Sequence, residues 1–171
     1  PLALMMMPVH CADKIASTIN GNVINGGGMS AGNSPGTLTI NGDYTQLPGG
    51  VFNLEIASPT LFDQVLVSGT ATTAGTLNIV LTNGFTGLTL GQQVPFLVAD
   101  GGVINNFDAI TGSFVSSDYR GRLIIEDGTL VLVVAPASYA NRITVPRTQN
   151  ERNVAKALDS FTGATSGDQP P

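Results

Sequence analysis

Residues 32–46 read GNSPGTLTINGDYTQ. Turn residues open the stretch, and Thr37-Leu38-Thr39-Ile40 then alternates hydroxyl and aliphatic side chains. Asn41-Gly42-Asp43 turns again before Tyr44. Period-two alternation marks a half-buried strand, so Leu38 and Ile40 are assigned to a core. Pro-Gly and Asn-Gly supply the corners. The stretch carries no evident catalytic acid, base or metal ligand. Its content is strand and turn grammar.

That grammar runs from residue 17 to residue 135. In Val51-Phe52-Asn53-Leu54-Glu55-Ile56 the apolar face is Phe52, Leu54 and Ile56; in Thr76–Leu81 it is Leu77, Ile79 and Leu81. Val94, Phe96 and Val98 continue the pattern. A phrase recurs: Gly36-Thr-Leu-Thr-Ile40, Gly75-Thr-Leu-Asn-Ile79 and Gly128-Thr-Leu-Val-Leu132. Asn-Gly recurs at 20–21, 41–42 and 83–84. Repetition of a turn–Thr–aliphatic unit suggests stacked coils of ~20 residues with insertions. A β-sandwich is the alternative, since it too has closely spaced turns. Small polar residues in the turns favour coils, because they can hydrogen-bond along a stack. Asp127-Gly128 is a type I′ hairpin signal. It pairs Ile125 with Leu130 and Leu123 with Leu132, and these four are expected to be the hairpin's energetic centre. The hairpin is apolar on both faces, so it needs cover on both. One cover is the open end of the coil stack, which otherwise exposes core and strand edges.

Composition agrees. Of 171 residues 42% are hydrophobic and only 11% charged, against about a quarter charged in ordinary domains. The chain is long enough for one domain with a sizeable core. Its net charge of −5, with seven basic residues scattered, excludes a phosphate-binding stripe and so a nucleic-acid partner. The single cysteine, Cys11, allows no internal disulfide. No apolar run reaches the ~20 residues of a spanning helix.

The ends differ from the middle. With Pro1 in place of a start methionine, the chain is expected to be a fragment. Residues 1–16, opening PLALMMMPVHCADK, read as a signal-peptide remnant cleaved near Ala12, or else as an ordinary buried segment. Residues 136–171 read as a linker. Within it Thr148 and Glu151 form a capping box, and Val154, Ala155, Ala157, Leu158 and Phe161 fall at helical spacing. A helix is expected over about 149–162, with Gly163 as its stop.

Chemistry is sparse. Asp100, Asp108, Asp118, Glu126 and Asp127 are the carboxylates to consider, and turn formation explains Asp100 and Asp127, each followed by glycine. His10 is the only histidine, and it lies in the leader-like segment. Ser34 therefore has no histidine to activate it. Asp118-Tyr119-Arg120-Gly121-Arg122 is a dense charged cluster and reads as a surface loop. No catalytic residue, cofactor site or metal site is assigned.

The ordered set of phrases from Ala31–Gln46 through Phe52–Ile56, Asp63–Gly69, Ala74–Ile79, Gly91–Val98 and Gly128–Leu132 resembles the C-terminal part of autotransporter passenger domains, the pertactin-like proteins of type V secretion. Thr148–Asp159 resembles the segment that precedes an autotransporter's membrane barrel. The resemblance implies an all-β fold: a right-handed parallel β-helix (solenoid) closed by a C-terminal β-hairpin and followed by one short α-helix. It implies a non-enzymatic role, aiding folding and surface display of an exported adhesin or virulence-type protein. Its partner would be an outer-membrane β-barrel, with a host or matrix surface beyond, on the surface of a Gram-negative bacterium. A β-sandwich adhesin or carbohydrate-binding module, or a β-helical polysaccharide-degrading enzyme, are the alternatives.

Overall fold

The computed structural model describes residues 2–5, 17–32, 35–113, 118–138 and 148–162. Alternation in the sequence becomes alternation in burial, strand after strand. The order is β1 (Leu2–Met5), β2 (Ser17–Asn20), β3 (Asn22–Asn25) and β4 (Gly28–Ser30). Then come β5 (Thr37–Asn41), β6 (Tyr44–Gln46), β7 (Val51–Ser58) and β8 (Leu61–Phe62). Next are β9 (Gln64–Val67), β10 (Ala71–Leu81), β11 (Gln93–Ala99) and β12 (Val103–Gly112). A hairpin of β13 (Tyr119–Glu126) and β14 (Thr129–Pro136) follows, and α1 (Gln149–Thr162) ends the described chain. The protein is all-β with one short helix.

The strands form two sheets. One carries β1-β3-β6-β10-β7-β4, with β12 beside β10 and β8 beside β7; the other runs β13-β14-β11-β9-β5-β2. The chain visits the second sheet at β2, returns to the first at β3 and β4, and repeats that circuit at β5–β7, β9–β10 and β11–β12. Equivalent strands of successive circuits pair in parallel: β2 with β5, β5 with β9, and β9 with β11. On the first sheet β3, β6, β10 and β12 do the same. Side-chain bonds between neighbouring circuits join residues 21, 27 and 32 positions apart. Antiparallel pairs among the described residues are confined to β7–β8, β11–β14 and β13–β14. A sandwich of antiparallel neighbours is therefore not the arrangement.

Inward residues of both sheets meet in one cluster that includes Leu38, Ile40, Phe52, Leu54, Ile56, Val65, Leu77, Ile79 and Phe96. Phe52 touches Phe96 edge-on across the sheets, ring centroids 5.4 Å apart, and Phe107 at 6.3 Å. Such edge contacts add to area burial. Glycines allow the circuits to stack closely at one corner. A Cβ on Gly42 would lie 2.6 Å from the Gly21 carbonyl, and one on Gly101 2.7 Å from the Gly69 carbonyl carbon.

Several expectations need correcting. The recurring Gly-Thr-Leu phrase is not the structural repeat: Leu38 lies on β5, Leu77 on β10 of the other sheet, and Leu130 on the antiparallel β14. The phrase opens β5 and β14 but falls inside β10, so it marks neither a strand start nor a particular level of the stack. Val98 does not share a face with Val94 and Phe96. A register shift between Pro95 and Leu97 turns Leu97 and Ala99 inward and leaves Val98 only partly buried. The cluster around Asp118 is not all loop, since Tyr119 onward is β13. Leu2–Met5, in the leader-like segment, pairs in parallel with Asn22–Asn25. His10, Cys11, Ala12, Ser34 and Gly163 lie outside the described residues.

The helix forms where expected. Thr148 N donates to Glu151 Oε2 at 3.0 Å and Glu151 N to Thr148 Oγ1 at 3.4 Å, so the capping box closes reciprocally. Its expected apolar face is mostly not buried: Ala155 is, whereas Val154 is 53% exposed and Leu158 45%. Ser138 Oγ, just past β14, donates to Asp159 Oδ2 at 2.9 Å and ties the helix to the hairpin's end.

Candidate functional site

The hairpin end of the stack is where sequence and geometry meet. Asp127 and Gly128 take φ of 45° and 74°, the left-handed pair a type I′ turn requires. Leu123 pairs with Leu132 and Ile125 with Leu130, as the sequence predicts. β14 then pairs antiparallel with β11, so the hairpin extends the second sheet past its last parallel strand. Leu130, Leu132 and Val134 enter the common core. Leu123 packs against it partly. Ile125 does not belong to that centre, being 48% exposed. The reason is position: β13 is an edge strand, and Ile125 sits at its end beside the turn.

The first sheet has no such closure. β12 pairs with β10 and with no other described strand, and Ile104 on it is 53% exposed. The β10–β12 register shifts between Gly75 and Thr76, leaving Asp108 as the extra residue, whose Oδ2 accepts from Gly75 N at 3.2 Å. A bulge with a charge blunts a strand edge against further pairing. Asp108 therefore has a structural explanation.

Polar side chains form columns through the stack. On the outer face of the first sheet Asn53 Nδ2 donates to Ser30 Oγ at 3.4 Å, Asn78 Nδ2 to Asn53 Oδ1 at 2.9 Å, and Thr111 Oγ1 to Asn78 Oδ1 at 3.3 Å. At the corner after the second sheet, Asn41 Nδ2 donates to Asn20 Oδ1 at 2.7 Å and Asp43 N to Asn22 Oδ1 at 2.9 Å. Thr70 N in turn donates to Asp43 Oδ1 at 2.9 Å. An inward column is less obvious from sequence. Tyr44 Oη donates to Gln46 Oε1 and Gln46 Nε2 to the Ala74 carbonyl, both at 2.7 Å. Thr73 Oγ1 donates to Asn105 Oδ1 at 3.0 Å one level on. Burial raises the Tyr44 phenol pKa well above its ordinary value, opposed by the Asn25 side chain. Asn25 Oδ1 accepts from Gly27 N, while its buried Nδ2 has no partner. In Tyr44-Thr-Gln46 the alternation does place Gln46 inward, a signal that a polar residue type obscures.

Among the described residues Asp63 is the carboxylic acid whose pKa is clearly shifted, and it was not among the carboxylates considered from sequence. It is fully buried, and its Oδ1 accepts from Gly36 N at 2.7 Å and Oδ2 from Glu55 N at 3.1 Å. Burial raises its pKa to about 6; the Gly36, Glu55 and Ala31 backbones oppose the rise and the Glu55 charge adds to it. Glu55 Oε2 is itself buried without a partner. With both oxygens engaged by backbone amides, Asp63 clips the loop before β5 to β7. The clip gives Asp63 a structural role.

The acids considered from sequence fall on separate elements, apart from the adjacent Glu126 and Asp127. Asp100 lies in the turn after β11, Glu126 and Asp127 at the hairpin tip, and Asp118 just before β13. Among the described residues no three His, Cys, Asp or Glu side chains are grouped to hold a metal ion. No described helix is long and apolar enough to cross a membrane. No family model matches the chain, and no curated protein matches it.

Proposed function

We propose that this chain is the C-terminal part of an autotransporter passenger, a right-handed parallel β-helix whose hairpin closes the stack and whose helix leads toward an outer-membrane barrel. Its role in this reading is mechanical and non-enzymatic. Each circuit buries apolar surface against the one before, at ~25 cal/mol per Å². Folding outside the membrane then disfavours return through the pore and displays whatever adhesin precedes it. The observation that carries the reading is the parallel register between successive circuits, ended on β11 by an antiparallel hairpin. On the second sheet this supports an end cap of the kind repeat architectures require.

The test places the chain between a secretory signal and a type V barrel in a Gram-negative host and measures protease accessibility on intact cells. The wild-type chain should reach the surface. Leu130→Asp, which buries a charge beneath the hairpin, should lose most of that display. Wild-type chain retained in the periplasm, or Leu130→Asp displayed equally well, would reject the reading.

A further inference from the structure

Four Asn-Gly pairs occur in the described chain, at 20–21, 25–26, 41–42 and 83–84. Chemically they are equivalent. The Gly nitrogen can attack the Asn Cγ, because glycine offers no side chain to hinder the approach. A bond forms between that nitrogen and Cγ, and the Cγ–Nδ2 bond breaks. Ammonia leaves, carrying the amide proton, and a succinimide remains. Water then opens the ring at either carbonyl, giving aspartate or isoaspartate. The attack requires a free Gly nitrogen and an Asn side chain able to swing onto it.

Three of the pairs are held. Gly21 N donates to the Asn41 carbonyl at 3.0 Å, and Asn20 Oδ1 is bound by Asn41 Nδ2. Asn41 is fixed by that same bond, and Gly42 is wedged against the Gly21 backbone. Asn25 is 2% exposed; its carbonyl accepts from Leu47 N and its Oδ1 from Gly27 N. Freeing any of these requires neighbouring circuits to separate. Asn83-Gly84 differs. It forms the turn that follows β10, with φ of 53° and 73° and one closing bond, Phe85 N to the Thr82 carbonyl at 2.9 Å. Both residues are exposed, a Cβ on Gly84 would meet nothing within 4 Å, and among the described residues no hydrogen bond engages the Asn83 side chain or Gly84 N.

We propose that Asn83-Gly84 is a spontaneous modification site, at which the folded protein deamidates through a succinimide while its other described Asn-Gly pairs are protected by the stack. Exposure alone does not make this distinction, since Asn20 and Asn41 are also exposed. The inter-circuit bonds do.

The full chain would be incubated in mildly alkaline buffer, folded and in denaturant, and mapped by mass spectrometry with an isoaspartate-specific methylation assay. In the folded protein the Asn83 peptide should deamidate at least about tenfold faster than the others, one turn bond opposing it against several inter-strand ones. In denaturant the four rates should converge. Asn83→Gln should remove the fast phase without unfolding the chain. Equal rates in the folded protein, or the same Asn83 advantage in denaturant, would overturn the proposal.

Discussion

Asp63 illustrates how one buried side chain couples stability to pH. Its folded pKa of about 6 lies above the ordinary 3.8, because burial penalises the charged form more than the backbone amides favour it. Folding therefore favours the protonated acid. The contribution is fully present below 3.8 and is lost as pH rises through about 6. Its full size is on the order of 3 kcal/mol. Comparing urea unfolding of wild type and Asp63→Asn between pH 4 and pH 7 isolates it. Wild type should lose stability relative to the variant as pH rises across that window. Parallel curves would mean that Asp63 does not titrate there. Glu55, with a buried and unpaired Oε2, is the charged neighbour that faces Asp63 and raises its pKa further.

The hairpin shows how an element can be right in outline and uneven in energy. Period-two patterning makes Leu123, Ile125, Leu130 and Leu132 look equivalent. Strand order separates them: β14 is covered by β11 on one side and β13 on the other, whereas β13 is an edge. Leu132→Ala should accordingly cost ~2–5 kcal/mol, the range for a fully buried leucine. Ile125→Ala should cost well under half of that, its side chain being half in water already. Thermal and denaturant unfolding of the two variants gives the comparison directly. Equal losses would show that Ile125 is covered by something beyond the described residues. The helix has the same lesson in weaker form. Its capping box is local chemistry and forms, while burial of its apolar positions depends on a neighbour and is confined, in the described face, to Ala155.

Stability in a stack of circuits is a sum of nearest-neighbour contacts, so its ends are weaker than its middle. Here β7, β9 and β10 have partners on both sides, while β2, β4 and β12 each pair with a single strand. Native-state hydrogen exchange should find the slowest amides in β7, β9 and β10. Exchange in β2, β4 and β12 should proceed by local opening at markedly lower free energy. Uniform protection in every strand would instead indicate one all-or-none unit. The glycine corner and the polar columns bear on the same question. They bind each circuit to its neighbour through Asn41–Asn20, Thr70–Asp43 and Asn78–Asn53, and so set how far an opening at one end spreads.

Much of this was legible in the residues. Strand existence, the inward faces of Val51–Ile56 and Thr37–Ile40, the Asp127-Gly128 turn and the capped helix all rest on contacts within a few positions. Periodicity and turn chemistry report such contacts directly. What the folded chain alone decided spans longer separations. Parallel partners lie 20 to 33 residues apart, through loops of unequal length, so no fixed period announced them. The bulge at Asp108, the shift that turns Val98 out, and the clip at Asp63 each depend on a strand that arrives from another circuit. Burial of Gln46 followed from the same cause. Its side-chain amide is satisfied inside by the Ala74 carbonyl of the next circuit, a partner 28 residues away that no local pattern announces.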